Sequence, residues 1–314
     1  MAETEQANIQ LKTKRQPGNG ISDSWYSIFL VSPAMLVLIF FGLVPLLYAI
    51  YLSFHYADLT VGGVQGWVGL DNYRDALNNN SFWDATRRTL TFTIFSVGIE
   101  MILGIALAFM INQLRWFKGI IRALFLLPLA SAPVAVGLVW RYLYDPDFGV
   151  YTQLLKLFTG IQAPVWLGDP KWAMPSIIVF DVWMWTPFVL LIVLAGLQSL
   201  PREPFEAAEL DGASTWMVLR RLTFPMLTPV LTLIFILRTI DAIKLYDAVI
   251  TLTRGGPGTA TETVTYYLYR IGLKYFRLDQ ASAMALLVLF AVVVFSGVIL
   301  RPMMKAQAER TRGN

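Results

Sequence analysis

Long apolar stretches constrain this chain more than any other feature. A helix needs about 20 mostly apolar residues to cross the hydrocarbon core of a bilayer. Six segments meet that need: Tyr26 to Phe54, Thr89 to Gln113, about Ala123 to Trp140, Trp172 to Gln198, Leu222 to Ile250 and Ala281 to Leu300. Only 15% of the 314 residues are charged, against about a quarter in soluble domains. The expectation is an all-α polytopic membrane protein with six transmembrane helices, which excludes a water-soluble enzyme and a disordered chain. The first span is not a cleavable signal peptide, because its apolar run exceeds a 7–15-residue h-region and no small-residue cleavage site follows.

The distribution of Lys and Arg sets orientation. With the N-terminus inside, thirteen of the 25 fall on the cytoplasmic side, ten fall outside, and Arg238 and Lys244 lie in the fifth span. The inside set includes Lys12, Lys14, Arg15, Arg115, Arg220, Arg221 and Arg301. Both termini are therefore expected in the cytoplasm, and the net charge of +4 follows from topology rather than from nucleic-acid binding. Residues 1–24 read as a polar cytoplasmic tail, 25–301 as the six-span domain and 302–314 as a second tail. Trp25, Trp116, Trp140 and Trp172 fall near the expected interfaces, where amphipathic rings are favoured.

Several chemistries are excluded at once. The chain has no Cys and one His, His55, so thiolate metal sites and multi-His zinc clusters are ruled out and a His-based triad is improbable. No Walker A pattern occurs, and Gly255-Gly256-Pro257-Gly258 lacks the Lys-Ser or Lys-Thr of a phosphate loop. That segment reads as a turn in the last outside loop. In the first outside loop, Asp71 reads as the N-cap of a helix running to Leu77.

The segment between the fourth and fifth spans, 201–225, is the most informative. Pro201 and Pro204 open a helix where a missing N–H is harmless. Glu203 and Glu206 complement its positive N-terminal dipole. Ala207 and Ala208 let another surface approach the backbone, and Gly212 permits a left-handed break. A second short helix over about Thr215 to Leu222 leads into the fifth span. A solvated interhelical loop has little need for this pattern.

Glu206-Ala207-Ala208, with Asp211-Gly212 following and Pro225 thirteen residues beyond the glycine, resembles the EAA motif of ATP-binding-cassette importer permeases. The longer Glu-Ala-Ala-x-x-Asp-Gly-Ala form is similar to that of the carbohydrate-uptake branch. Gly69-Leu70-Asp71-Asn72-Tyr73, Arg238-Thr239-Ile240-Asp241-Ala242 and Gly255-Gly256-Pro257 extend the likeness. Leu222 and Phe224 depart mildly from the motif, and the extra spans and large insertion of the larger maltose permease are absent.

The resemblance implies a type I importer permease fold and a non-catalytic subunit in the bacterial inner membrane. It also implies partners: a second homologous permease, an ATPase dimer carrying ATP and Mg, and an extracytoplasmic solute-binding protein. No cofactor is expected on this chain. Glu206 would anchor the ATPase, Ala207 and Ala208 would pack closely against it, and Asp211, Gly212 and Pro225 would shape the coupling segment. Transport of a sugar, polyol or related glycoside would follow from alternating access. The competing reading is a secondary transporter driven by an ion gradient through Glu100, Asp181 and Asp241, although no internal repeat is visible. An integral-membrane enzyme has no evident nucleophile or metal cluster.

Ionisable residues within spans are costly and mark candidate functional sites. Arg238, Asp241, Lys244 and Asp247 recur every three residues in the fifth span, so one slanting helical ridge is expected. Asp181 and Trp185 lie four apart in the fourth span, with Phe188 three further on, and a carboxylate beside an aromatic plane suits a sugar. Asp181, Trp185, Arg238, Asp241 and Lys244 are the substrate-pathway candidates. Glu100 is read as a structural partner for a cation such as Arg238, and Asp247 as a second structural ion-pair residue. Pro128, Pro133, Pro225 and Pro229 suggest irregular helices.

Overall fold

A computed structural model describes residues 23–114 and 118–312, with side chains described for 28–114, 119–301. Residues 1–22 of the expected N-terminal tail, Arg115, Trp116 and the side chains of Trp25, Lys118 and the C-terminal tail lie outside the described residues, and Asp23 and Ser24 already belong to the first helix. The chain divides into two units, up to Ala49 and from Ile50 onward.

The first unit is most of helix α1, Asp23–Ser53, which carries Pro33 and Pro45 and no charge between Tyr26 and its end. Five described helices are long and apolar enough to span a membrane, and a sixth span is possible as a bent pair.

In the second unit, the first outside loop begins with an antiparallel hairpin, β1 (His55–Asp58) and β2 (Gly63–Trp67). The sequence reading missed this hairpin. Gly62 and Gly63, at φ +110° and +85°, form its turn. Helix α2, Asp71–Asn78, follows. Its N-cap is Leu70 and not Asp71, which lies in the first turn and makes no capping bond. Asp71 instead adds negative charge near the dipole's positive end. Asn72 is buried, and its Nδ2 donates to Ser53 O and His55 O, both at 2.9 Å. Those bonds tie the loop to the end of α1.

Helix α3, Asn80–Gln113, starts nine residues before the expected span because the Asn79 side chain accepts from Phe82 N at 3.0 Å. The third span is bent. Helices α4 (Lys118–Ala130) and α5 (Pro133–Leu143) meet at 96° across Ser131-Ala132. Pro133 disfavours helical geometry in Ala132, which is extended at φ −69°, ψ 124°. A continuous crossing from Ala123 to Trp140 is thereby corrected. Trp140 does not lie at an open interface either. It is buried beside Tyr144, Tyr151, Phe180 and Trp183.

Short helix α6, Val150–Thr159, leads to α7, Pro170–Gln198. Asp169 caps α7 by accepting from Lys171 N at 2.9 Å, and Pro170 takes its first position. Then come α8 (Glu203–Leu210), α9 (Thr215–Val218) and α10 (Phe224–Ile243), the last two joined by a π-helical turn over Leu219–Thr223. Helices α11 (Val264–Tyr269) and α12 (Leu278–Arg312) complete the order.

Helices α3, α7 and α10 form the centre. Ala108, Ile111, Val189, Leu190, Val193, Leu194 and Ile234 make one buried cluster among them. Lipid tails are as apolar as leucine, so this packing rests on van der Waals contact and small residues. Gly104 permits the approach of α3 to α7, since a Cβ there would sit 2.6 Å from Val189 Cβ.

Helix α10 ends at Ile243, with Lys244 as its C-cap, and the chain re-enters a π-helical turn at Val249–Thr253. The expected ridge of four charges is thus corrected. Arg238 and Asp241 share the helix, Lys244 ends it, and Asp247 lies beyond the break. Among the described residues Asp247 forms no ion pair, contrary to its assignment as a structural ion-pair residue.

Candidate functional site

Three spans converge on one guanidinium. Arg238 of α10 is 1% exposed. Its Nε donates to Glu100 Oε2 at 2.7 Å and its Nη2 to Glu100 Oε1 at 2.9 Å, a bidentate pair with α3. Nη2 also donates to Asp181 Oδ2 of α7 at 3.0 Å, and Nη1 donates to Asp241 Oδ2 at 2.6 Å. Ser96, one turn before Glu100, donates to Asp181 Oδ2 and lies 3.2 Å from Glu100 Oε1. The guanidinium carbon sits 4.6 Å from the centroid of the Trp185 ring, which stacks edge-on to Phe188.

Helical spacing explains this convergence. Asp181 and Trp185 lie on one face of α7, so carboxylate and indole meet the same cation. Glu100 and Asp181 are buried, while the Asp241 side chain is 49% exposed. A small pocket of about 80 Å³ opens beside the cluster. Pro133, Asp181, Trp185, Asp241, Lys244, Tyr246 and Asp247 line it, so the bend of the third span and the break after α10 shape the same place. Four of the five pathway candidates line this pocket. The fifth, Arg238, sits beneath it, saturated by carboxylates.

At the other candidate site, α8 is a two-turn helix with Pro204 in its first turn and Glu203 and Glu206 near its N-terminus. It stops at Asp211. Gly212 adopts the left-handed conformation at φ +70°, and Ala213 N donates to Ala208 O at 2.9 Å. This closure satisfies carbonyls that a helix end leaves unpaired. Ser214 then caps α9 by accepting from Met217 N. Glu206 and Ala207 are exposed, Leu210 is 90% exposed, and Trp216 and Met217 extend the exposed apolar surface. Neither Glu206 nor Asp211 forms an ion pair among the described residues. A cavity of about 1170 Å³ lies between Phe205, Glu206 and Glu209 and the ends of α3 and α7 at Gln113 and Gln198. Pro225, exposed, lies in the first turn of α10, directly after the π-helical turn.

Residues 100–312 match the family described as binding-protein-dependent transport system inner membrane component. The chain belongs to this family. It is a multi-pass inner-membrane permease of a binding-protein-dependent ABC importer. A probable ABC transporter permease protein, y4oQ of Sinorhizobium fredii, is 37% identical over 90% of this chain and 91% of its own. The trehalose/maltose transport system permease protein MalF of Thermococcus litoralis is 34% identical over 87% and 91%. In fold, the permease is similar to a chain of a bacterial alginate ABC transporter solved with an alginate pentasaccharide-bound periplasmic protein. The TM-score is 0.76 at 24% identity, covering 90% of this chain and 96% of the other.

Two residues of the permease's polar centre escaped the sequence reading. Ser96 is uncharged and carries no span-level signal, although its place one turn from Glu100 was visible. Tyr246 was hidden because the fifth span was read as unbroken through Ile250.

Proposed function

We propose that this permease carries a sugar, polyol or related glycoside inward, driven by ATP hydrolysed on a separate ATPase dimer. The supporting observation is the exposed helix α8 with its left-handed turn at Gly212. Glu206 offers an unpaired carboxylate, Ala207 and Ala208 a close-packing surface, and Leu210 an apolar knob. A cytoplasmic ATPase that recognises the shape of α8 would cover these groups. The Lys and Arg distribution supports a cytoplasmic position for this segment and both termini. The outside loops, with the β1–β2 hairpin, then face a loaded solute-binding protein. A second homologous permease completes the pathway, and ATPase closure rocks the pair between two states.

The carbohydrate assignment is supported by the 34% identity to a permease named for trehalose and maltose. It is supported also by the setting of Asp181 and Asp241 beside Trp185 and Tyr246. Carboxylates accept from sugar hydroxyls, and rings stack on sugar C–H faces.

The test assembles the full transporter with Glu206→Lys or Gly212→Pro. Both variants should insert in the membrane, lose the ATPase on purification and lose uptake of labelled trehalose or maltose. Unchanged ATPase retention and ATP-dependent uptake would refute the coupling role.

A further inference from the structure

Arg238, a pathway candidate by sequence, would have to be free to bind an anionic solute. Its geometry denies that role. Nε, Nη1 and Nη2 all donate to carboxylates, Trp185 covers one face, and the residue is buried. Three carboxylates surround this one guanidinium, so the cluster carries −2 when all are ionised. Among the residues lining the pocket, Lys244 and Asp247 add charges of opposite sign. The summed charge around the pocket is negative.

Asp241 is the member of the cluster that reaches the pocket from outside the buried core, with its side chain half exposed. Arg238 holds Oδ2, and Oδ1 accepts from no described side chain. Tyr246, on the same wall, continues outward into a ring cluster with Tyr266 and Tyr269, at centroid distances of 6.2 and 5.1 Å. The lining thus offers a hydroxyl acceptor and aromatic faces, and its one cation is offset by Asp247.

We infer that Asp241 is a specificity-determining residue of the transport pathway, accepting from hydroxyls of uncharged sugars and repelling carboxylated or sulfonated ones. This inference rests on the sugar-importer reading. At about 80 Å³ the pocket has room for two or three waters, so a sugar ring engages it in a wider state of the transporter. Lys244 does not reverse the preference. It caps the end of α10 and lines the same pocket as Asp247, so the sum with Asp241 stays negative.

The experiment uses the assembled transporter in nanodiscs with no binding protein added, so that protein's own selectivity does not enter. Methyl α-glucoside and the matching methyl glucuronide are titrated, and weak binding is followed by saturation-transfer NMR. The two ligands differ by one carboxylate. At roughly 8 Å and an effective dielectric of about 20, each unit of net negative charge favours the glucoside by about thirtyfold. Asp241→Asn removes one unit and should shrink the ratio by about tenfold or more, and raising salt from 0.05 to about 0.5 M should shrink the wild-type ratio as well. Asp84→Asn, at an exposed acid on α3, should leave it unchanged. Equal or tighter binding of the uronide to the wild type, or the same ratio in Asp241→Asn, overturns the inference. Binding of neither ligand counts against the sugar reading itself.

Discussion

Removing the central cation should be far more damaging than removing any one of its partners. Arg238→Met keeps the length and apolar stem of the side chain but deletes the guanidinium. It leaves Glu100 and Asp181 buried with side chains 0% and 4% exposed and no counter-charge. Breaking a buried pair by deleting one partner costs about 3–5 kcal/mol, because the survivor stays desolvated. The lost contact to half-exposed Asp241 adds little, about 0–1 kcal/mol, since solvent screens it. Glu100→Gln should cost only about 1–2 kcal/mol, because Arg238 keeps Asp181 and Asp241. In the double variant Arg238→Met/Glu100→Gln one orphaned carboxylate is neutralised, so the loss should fall short of additivity by at least about 1 kcal/mol. Equilibrium unfolding in mixed SDS and mild-detergent micelles, followed by circular dichroism, measures all three. A loss below about 1 kcal/mol for Arg238→Met, or strict additivity, would refute the idea that this cluster holds α3, α7 and α10 together.

Other perturbations probe different levels. Gly104→Ala should destabilise by about 1–3 kcal/mol, because the new Cβ meets Val189 Cβ at 2.6 Å and Leu190 N at 3.1 Å; the same unfolding assay checks it, and a neutral result would mean that α3 and α7 are further apart. Gly212→Ala meets no steric neighbour but must hold φ +70°, costing roughly 1–2 kcal/mol in the turn, so the Ala213 amide should exchange faster with deuterium. Asp58 accepts from Thr60 Oγ1 at 2.6 Å and Thr60 N at 2.8 Å, and these bonds hold its carboxyl below the ordinary 3.8. A depressed folded pKa gives stability that is full above the unfolded value and lost as pH falls through the folded one. Thr60→Val should therefore move the Asp58 titration upward in carboxyl-carbon NMR, and an unmoved midpoint would assign the shift elsewhere.

Apolar length made the membrane class legible, and charge scarcity made the polar centre legible. Glu100, Asp181, Arg238 and Asp241 stood out because bare charges are expensive in a span. The convergence of Asp181 on the same cation as Glu100 and Asp241 did not, because periodicity places residues on a face of one helix and is blind to which helix faces it. The acid-flanked Ala207-Ala208 pair and Gly212 were readable for a local reason: capping and left-handed turns depend on neighbours a few residues away. The failures share a cause too. Hydropathy counts apolar residues and ignores direction, so it carried the third span through Ser131-Ala132 and the fifth past Lys244. Pro133 and the Gly62-Gly63 pair held the missing information, on the bend and on the hairpin respectively. Leu70 rather than Asp71 stands at the N-cap of α2, and Asn72 of the same run reaches back to Ser53 and His55.

The energy source is the sharpest division between an ABC importer and a carrier driven by an ion gradient. It can be measured directly in proteoliposomes holding the complete transporter, with binding protein outside and a labelled sugar as solute. Uptake should require ATP on the ATPase side and the binding protein opposite, and should survive an ionophore that collapses every ion gradient. Uptake that proceeds without ATP and stops with the ionophore would contradict the proposal that the motor is a separate ATPase subunit.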